Sequence, residues 1–275
     1  MLKFGTILLF CHFSAKKCEK TKKLLALFLT FVCKTSITYS SIMTTVSFWS
    51  RLLDLISPRQ CVVCGQRLAV SEEVICSKCN LHLPRTGFQT DALENDMAKM
   101  LWGRIPVERV AALFYYEAHA ASANIIYHLK YHDQPEIGRV MGRMAAREFR
   151  DSGFFDGIDA IVPVPLAKNR QRQRGYNQSK EIAEGIGEVT GLPIYNKVVL
   201  RTGFKESQTR MSRWDRNENV ADVFQLTDGR RISGKHLLLV DDVVTTGATV
   251  VACARELLKT EGVRVSVLSL GFVKH

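Results

Sequence analysis

Hydrophobic positions along the chain follow two different periods. Apolar residues recur every three or four positions, the spacing of one helix face, over 118–131, 136–150, 179–190 and 247–260. Short runs rich in Val, Ile and Leu lie between them, at 107–116, 158–165, 197–201, 236–240 and 263–272. Strands that alternate with helices in this way pair in parallel and are covered by helices on both faces. The pattern therefore predicts an α/β domain over 106–275.

Three segments before this domain have patterns of their own. Residues 43–57 have a helical pattern that ends at Pro58, and residues 58–86 contain four of the eight cysteines. A connector follows at 87–105, in which Asp91–Trp102 has the composition of a short helix that Gly103 ends. Ligands of parallel sheets bind at the carboxyl ends of the strands, so the residues that follow each predicted strand are the first candidates for a site.

The run that follows the predicted strand 236–240 combines acids, threonines and a glycine before a helix. It reads Asp241-Asp-Val-Val-Thr-Thr-Gly-Ala-Thr249. The free N–H groups at a helix N-terminus favour a phosphate, and Gly247 lets the backbone approach it. Two adjacent carboxylates suit the hydroxyl groups of a sugar and can hold water around Mg²⁺. We therefore predict a ribose-phosphate site with Asp241 and Asp242 as its catalytic residues and Thr245, Thr246, Gly247, Ala248 and Thr249 at the phosphate.

Two other phosphate-binding motifs are absent from this run. It does not contain G-x-x-x-x-G-K-[ST], which excludes a Walker loop, and it does not contain G-x-G-x-x-G, so the sequence does not support a dinucleotide site. Each element of the run taken alone is also compatible with an ordinary strand end or helix cap. Their combination is what favours a ribose phosphate.

Four cysteines form two C-x-x-C pairs separated by eleven residues. This spacing is typical of a structural zinc ribbon with four thiolate ligands, here Cys61, Cys64, Cys76 and Cys79. Disulfides and a redox C-x-x-C are the alternatives, but the rest of the chain does not have the character of a secreted protein. A closed site of four thiolates has no open coordination position, so we expect zinc over 58–86 to be structural and not catalytic.

Positive charge is spread unevenly along the chain. The formal net charge is +11, and residues 1–42 contribute seven lysines and one acid to it. The remaining body is mildly basic, which suits phosphate-bearing small molecules as well as nucleic acid. Two local rows stand out. We interpret Lys168–Arg174 as a candidate for pyrophosphate or DNA-backbone contacts, and the helical row Arg139, Arg143, Arg147 and Arg150 as a solvated face.

Residues 58–86, which we call the cysteine module, and the motifs at 162–178 and 237–249 are together similar to those of the ComF/GntX family. The resemblance covers about residues 45–275, and the run 237–249 is similar to the PRPP-binding signature of type I phosphoribosyltransferases. It implies a phosphoribosyltransferase fold and Mg²⁺ bound with PRPP. It also implies pyrophosphate contacts at Val164 and Pro165, with Lys168 and Arg174 as cations. Further family-motif residues are Gly175, Tyr176, Asn177 and Gln178, and, in a block that forms a mobile hood in related enzymes, Gln208, Arg210, Arg213 and Asn219.

Two functions follow from this reading. The first is a PRPP-dependent phosphoribosyltransferase, whose resemblance to the family implies a role in DNA uptake and whose acceptor cannot be read from the sequence. The second is a non-catalytic module that uses the same fold to bind single-stranded DNA or a protein of the DNA-uptake machinery. The intact acid pair and Thr-Thr-Gly favour PRPP or a related ribose phosphate as a ligand in either case.

Residues 1–42 have no counterpart in the family. Lys22 and Lys23 precede an apolar run, Leu24–Cys33, that is too short to cross a bilayer and is not followed by an Ala-x-Ala cleavage signal. An export signal, a real extension and a misassigned start site are the alternatives. We favour a true start at Met43, and we expect a cytoplasmic protein without stable membrane insertion.

Overall fold

A four-stranded parallel sheet forms the centre of the protein. The computed structural model describes residues 58–202 and 223–274. The strands stand in the order β1 (Val110–Tyr115), β6 (Arg264–Phe272), β5 (His236–Val244) and β2 (Ala160–Pro163). A single parallel bridge between Ile161 and Ile194 continues the sheet beyond β2. The predicted helix 43–57 and the block that contains Gln208, Arg210, Arg213 and Asn219 lie outside the described residues.

Seven helices accompany the strands within the described residues. They are α1 (Ser77–Leu81), α2 (Asp96–Leu101), α3 (Ala123–Tyr131), α4 (Pro135–Arg150), α5 (Lys168–Arg174), α6 (Gln178–Thr190) and α7 (Ala248–Leu257). Connections between parallel strands are right-handed crossovers. The face of the sheet that a crossover covers therefore depends on its direction: crossovers towards one edge of the sheet cover one face, and crossovers towards the other edge cover the opposite face. The connections through α4 and α6 move towards the Ile194 edge, whereas the connection through α7 moves towards β1. The sheet is therefore covered on both faces, as predicted.

The same topology fixes where a ligand can enter. The crossovers that leave β5 and β2 run in opposite directions, although these two strands are neighbours. A crevice opens outside the carboxyl ends of two such strands, and in open α/β sheets it is the usual ligand site. The acid pair lies in the last half of β5, and the Val164-Pro165 segment follows the end of β2.

Glycines let α4 and α6 approach each other closely. A Cβ atom on Gly185 would lie 2.0 Å from the carbonyl oxygen of Arg139, and one on Gly142 would lie 2.2 Å from the carbonyl oxygen of Ile182. Any larger side chain at these positions would push the two helices apart. The contact fixes α6, and therefore the start of α6 at the crevice, against the long helix α4.

The cysteine module packs against the edge of the sheet and against α4. The backbone of Arg85 pairs with that of Phe114 of β1 in a single antiparallel β-bridge. The guanidinium of Arg85 lies 2.8 Å from the carboxylate of Glu148 on α4. The described residues from Arg59 onwards, and with them the cysteines of the module, form one compact unit. The division at 86 and 105 proposed from the sequence therefore separates segments that are in direct contact.

The helical row of arginines on α4 is a solvated face only in its second half, where Arg147 and Arg150 are exposed. Arg139 lies 2.9 Å from Glu181, and Arg143 contacts Glu188 at 2.8 Å as well as Glu73 of the cysteine module. The hydrogen bond with Glu181 raises the pKa of Arg139. Arg139 and Arg143 thus form a seam of ion pairs between α4, α6 and the module, because acids on those neighbours face them.

Three elements, one of them the short helix α1 in the cysteine module, were missing from the sequence prediction, and several bounds moved. Residues 168–174, interpreted as a basic run, form the helix α5, and Phe224–Leu226 (β4) pairs antiparallel with Val199–Arg201 (β3). The strand predicted at 236–240 continues to Val244, so that the acid pair lies within it. Among the described residues, no helix is both long enough and apolar enough to cross a membrane.

Candidate ribose-phosphate site

The loop between β5 and α7 is held by a buried strand on one side and by α2 on the other. Leu237–Val240 are completely buried. Gly247 has a φ of +71°, and a Cβ there would lie 2.9 Å from Leu101 of α2. Glycine is therefore required for its conformation and for space. Arg104 donates a hydrogen bond of 2.6 Å to the carbonyl of Thr246, which fixes the loop from the same side.

The N-terminus of α7 faces this loop without a side-chain cap. Gly247 is its N-cap residue and provides no side-chain acceptor for the first N–H groups. Thr245 and Thr246 are exposed beside it, and Thr249 lies in the first turn. Uncapped N–H groups and the positive end of the helix dipole together favour an anion. The predicted phosphate residues thus meet at one helix end, with Ala248 as the first helical residue.

The acid pair is embedded in hydrogen bonds at the end of β5. Asp241 accepts hydrogen bonds from the hydroxyl of Ser179 at 3.0 Å and from the N–H of Asp242 at 2.9 Å. The ammonium of Lys130 lies 3.2 Å from the carboxylate of Asp242. Burial, and then the charge of Asp242, raise the pKa of Asp241 to about 7, although Ser179 and Lys130 act in the opposite direction. A diol or a cation at this pair would therefore meet one carboxylate that readily exchanges a proton near neutral pH.

The segment after β2 is tied to the start of α6. Asn177 donates a hydrogen bond of 3.0 Å from its amide to the carbonyl of Val164, and its side-chain oxygen caps α6. Gln178 accepts from Arg174 at 3.0 Å, while its buried amide nitrogen has no partner in the described residues. A buried donor without a partner is uncommon, and this one belongs to a residue that lines the crevice.

These parts line one open cleft of about 400 Å³. It brings together the acid pair, the predicted pyrophosphate residues and cations from three elements. Its lining includes Val164, Pro165, Arg170, Arg174, Asn177, Gln178, Asp241, Asp242, Thr245 and Thr249. Most of the residues predicted from distant parts of the sequence therefore share one cavity.

Six described residues of the predicted site do not line the cleft: Thr246, Gly247, Ala248, Lys168, Gly175 and Tyr176. Lys168 is exposed at the start of α5. Gly175 ends α5 with a φ of +77°, and Tyr176 donates a hydrogen bond of 2.5 Å to the carbonyl of Leu129. Gly175 and Tyr176 thus shape the turn between α5 and α6, so their contacts are structural.

Four lining residues were not assigned to the site from the sequence: Tyr116, Lys130, Ser179 and Arg201. Lys130 lies in a helix more than a hundred positions before the acid pair, and no local motif marks it. Ser179 directly follows the Asn177-Gln178 motif, and this adjacency could have identified it as a site residue from the sequence. Burial and the nearby charge of Arg170 lower the pKa of Arg201. Two neighbouring cations in the lining make this part of the cleft favourable for an anion.

The four predicted metal ligands are gathered in the cysteine module. Their sulfur atoms all lie within 4.8 Å of one another, and those of Cys64 and Cys76 are 3.9 Å apart. Gly65 has a φ of +71° and donates to the carbonyl of Cys61, which forms the first turn around the cluster. Burial raises the pKa of the Cys61 thiol, but N–H donors such as that of Cys76 outweigh it and bring the pKa to about 7. The cluster can hold a metal ion.

Comparison with known proteins identifies the class. Residues 129–271, more than half of the chain, match the phosphoribosyl transferase domain family, and the chain belongs to that family. The match begins in α3, includes both strand ends of the cleft and stops within β6. The prediction of a phosphoribosyltransferase fold is confirmed.

Its relatives are proteins of the ComF type, as the sequence motifs indicated. DNA utilization protein YhgH of Escherichia coli is 28% identical over 223 residues, which cover 78% of this chain and 96% of that protein. Competence protein F of Haemophilus influenzae is 32% identical over 129 residues, or 46% of this chain and 56% of that protein. Competence protein ComFC of Bacillus subtilis is 31% identical over 114 residues, or 42% of this chain and 44% of that protein.

Proposed function

We propose that the cleft binds PRPP with Mg²⁺ and transfers its ribose phosphate to an acceptor. The observation that carries this proposal is the shared lining: an acid pair, a threonine loop at an uncapped helix end, and the cations Lys130, Arg170, Arg174 and Arg201 all face one cavity. Each group matches one part of PRPP, namely its hydroxyls, its 5′-phosphate and its pyrophosphate. Membership in the phosphoribosyl transferase domain family supports the same ligand.

In the proposed reaction the bond between C1 of the ribose and the pyrophosphate oxygen breaks, and its electron pair leaves with the pyrophosphate. Asp241 and Asp242 hold the ribose hydroxyls, and residues 245–249 fix the 5′-phosphate. Mg²⁺, when bound with PRPP, would neutralise part of the pyrophosphate charge. Arg170, Arg174 and Lys130 would stabilise the rest, and one preorganised donor of this kind is worth about 3 kcal/mol of barrier. The attacking nitrogen belongs to an acceptor that the cleft does not identify.

The names of the relatives suggest the cellular setting. Similar proteins are named for DNA utilization and for competence. We infer a role for this chain in the uptake or use of DNA, in the cytoplasm, where thiols stay reduced and free to bind metal. A non-catalytic module for single-stranded DNA or a partner protein is the second candidate, favoured by the α5 cations that have no ion-pair partner among the described residues.

Calorimetric titration with PRPP and Mg²⁺ tests the cleft. We expect saturable binding to the wild type and none to the double variant Asp241→Ala/Asp242→Ala, because the ribose hydroxyls lose their acceptors. Asp151→Ala, which removes an exposed carboxylate at the end of α4, is the matched control and should bind like the wild type. No heat with the wild-type protein would refute the PRPP proposal.

Release of pyrophosphate separates an enzyme from a binding protein. The full chain is incubated with PRPP, Mg²⁺ and a panel of amines and nucleobases, and pyrophosphate is measured. Release above the background of the double variant, with any acceptor, supports transfer. PRPP binding without release from any member of the panel favours the binding module.

We further propose that the cysteine cluster is a structural zinc site. Four sulfurs at about 2.3 Å from one zinc ion stand about 3.8 Å apart, close to the 3.9 Å between Cys64 and Cys76. The purified protein should contain one equivalent of zinc, and Cys64→Ser should lose it. Cys253→Ala, which removes a buried thiol from α7, is the matched control and should keep it. Zinc-free, folded wild-type protein would rule the site out.

A further inference from the structure

Four aromatic rings form one continuous patch on α3. Tyr127 and Tyr131 lie one helical turn apart, with their ring centroids at 5.2 Å, and His132 lies 5.1 Å from Tyr127. His128 stacks on His132 at 4.3 Å. The two tyrosines are 53% and 65% exposed, which is unusual for rings of this size. We call these four residues the α3 ring patch.

A second cavity, of about 750 Å³, opens beside the ring patch. It is lined by Tyr131, by Lys130 and by three arginines of α5, namely Arg170, Arg172 and Arg174. The guanidinium of Arg174 lies 5.5 Å from the centroid of the Tyr131 ring, so the positive charge reaches the patch itself. Asp133 is the one acid that 58–202 and 223–274 contribute to the lining. The cavity therefore offers net positive charge next to exposed aromatic faces.

The charge on α5 is available to a ligand. Lys168, Arg170 and Arg172 are exposed, and no ion pair joins them to any other residue of 58–202 or 223–274. Cations that track a backbone next to rings on which bases stack are the two components of single-strand recognition. A duplex hides its bases from such rings, and an acidic peptide would not use them.

The second cavity shares part of its lining with the ribose-phosphate cleft. Lys130, Arg170 and Arg174 line both cavities, and Lys130 also contacts Asp242 at 3.2 Å. A cation that is engaged by one anion is less available to another. Ligands of the two cavities are therefore expected to weaken each other's binding, and by the same factor.

We infer that the α3 ring patch and α5 bind a single-stranded nucleic acid, and that the strand competes with the ribose-phosphate ligand for Lys130, Arg170 and Arg174. The first half of this inference is independent of the function proposed above, and the second half rests on it. The bases stack on Tyr127 and Tyr131, and the phosphates contact α5.

Fluorescence anisotropy with labelled (dT)₂₀ and (U)₂₀ tests the strand site in the full chain. We expect Tyr127→Ala/Tyr131→Ala to weaken binding at least tenfold, since stacking on each ring is lost. Tyr127→Phe/Tyr131→Phe keeps the rings and should bind within twofold of the wild type. Thermal unfolding checks that each variant is folded. The ratio between the two oligonucleotides shows whether DNA or RNA is preferred.

The salt dependence of binding tests the cations. Arg172→Gln should reduce the slope of log K against log salt concentration by about 0.7, the contribution of one phosphate contact in a single strand. Arg147→Gln on α4 is the matched control and should leave the slope unchanged. Equal binding by the alanine and phenylalanine variants, tighter binding of a 20-base-pair duplex, or no binding of either oligonucleotide would overturn the strand site.

Competition tests the shared cations. Saturating PRPP with Mg²⁺ should weaken (dT)₂₀ binding to the wild type at least fivefold. The variant Asp241→Ala/Asp242→Ala should still bind (dT)₂₀ but show no effect of PRPP, which separates competition from ionic strength. If PRPP binds in calorimetry and leaves the oligonucleotide affinity unchanged, the proposal that the two ligands compete for the same cations is wrong. If PRPP does not bind, the proposed function fails, while the oligonucleotide results still decide the strand site.

Discussion

Two helices of this protein carry a row of basic side chains, and the first two arginines of the α4 row have surroundings opposite to those of the α5 row. On α4, Arg139 and Arg143 are bound by carboxylates of α6 and of the cysteine module. On α5, Lys168, Arg170 and Arg172 have no ion-pair partner in the described parts of the chain. The regular spacing of the α4 row gave no sign of this difference. A basic row is available to a ligand only if no neighbouring element supplies acids to it.

Packing explains the difference. The helix α4 has sixteen residues and lies between the module and α6, so that acids such as Glu73 and Glu188 face its arginines. The helix α5 has seven residues, buries none of them and stands at the rim of two cavities. The first row stabilises contacts between elements, whereas the second leaves positive charge exposed. Three predictions can break or sharpen this contrast.

The largest effect is expected at the cleft, where Asp241 has the raised pKa. Between about pH 4 and pH 7 the folded protein holds a proton on this carboxyl that the unfolded chain has lost, so stability should fall as the pH rises through this window. Asp241→Asn removes the titrating group. We expect the variant to be more stable than the wild type at pH 8 by about 2 kcal/mol, and nearly equal to it at pH 4.

Urea unfolding of the wild type and Asp241→Asn at several pH values measures this effect. Asp156→Asn, at an exposed turn away from the cleft, is the control and should keep the slope of the wild type. A wild-type stability that rises steadily between pH 5 and pH 8 would contradict the assigned burial of Asp241.

A smaller effect is expected in the ion-pair seam. Arg143→Gln leaves the carboxylates of Glu73, Glu136 and Glu188 next to one another without their cation. Exposed pairs are worth up to about 1 kcal/mol each, and a network with a mostly buried arginine lies at the upper end. We expect a loss of about 1–2 kcal/mol in the free energy of unfolding, measured by urea denaturation at low and high salt.

The smallest effect on stability is expected on α5. Arg172→Gln should change the free energy of unfolding by less than about 0.5 kcal/mol, because an exposed side chain without a partner is replaced. The same variant is the one expected to lower the salt dependence of oligonucleotide binding. A loss of stability equal to that of Arg143→Gln would show that the two rows do not differ.

Much of the fold was predictable because it depends on local patterns. The period of the apolar residues located β5, β6, α4 and α6 to within a few residues, apart from the end of β5. The strand extends to Val244 because its pairing with β6 continues through Asp241, and pairing is not visible in one segment alone. The helix α5 was missed because its residues have no apolar face.

The site was predictable as far as its motifs reached. The acid pair, the threonine loop and Asn177-Gln178 each lie next to a strand end or a helix start, where the chain itself creates free N–H groups. Lys130 and Arg201 were not predictable, since each is brought to the cleft by an element whose own sequence shows no motif. The roles of the individual residues stay predictions until PRPP binding is measured.

The sequence by itself determined the family, the parallel sheet, the cysteine cluster and the ribose-phosphate loop, because each depends on residue types at short spacing. Only the tertiary structure decided which charges remain free. It placed acids against α4, left α5 open beside the rings of α3, and brought Lys130 to the acid pair. Electrostatic interactions act between elements that are distant in sequence, and their strength depends on burial and on the nearest opposite charge. The loop at 237–249 therefore predicts the ligand, and the packing around it determines what else can bind.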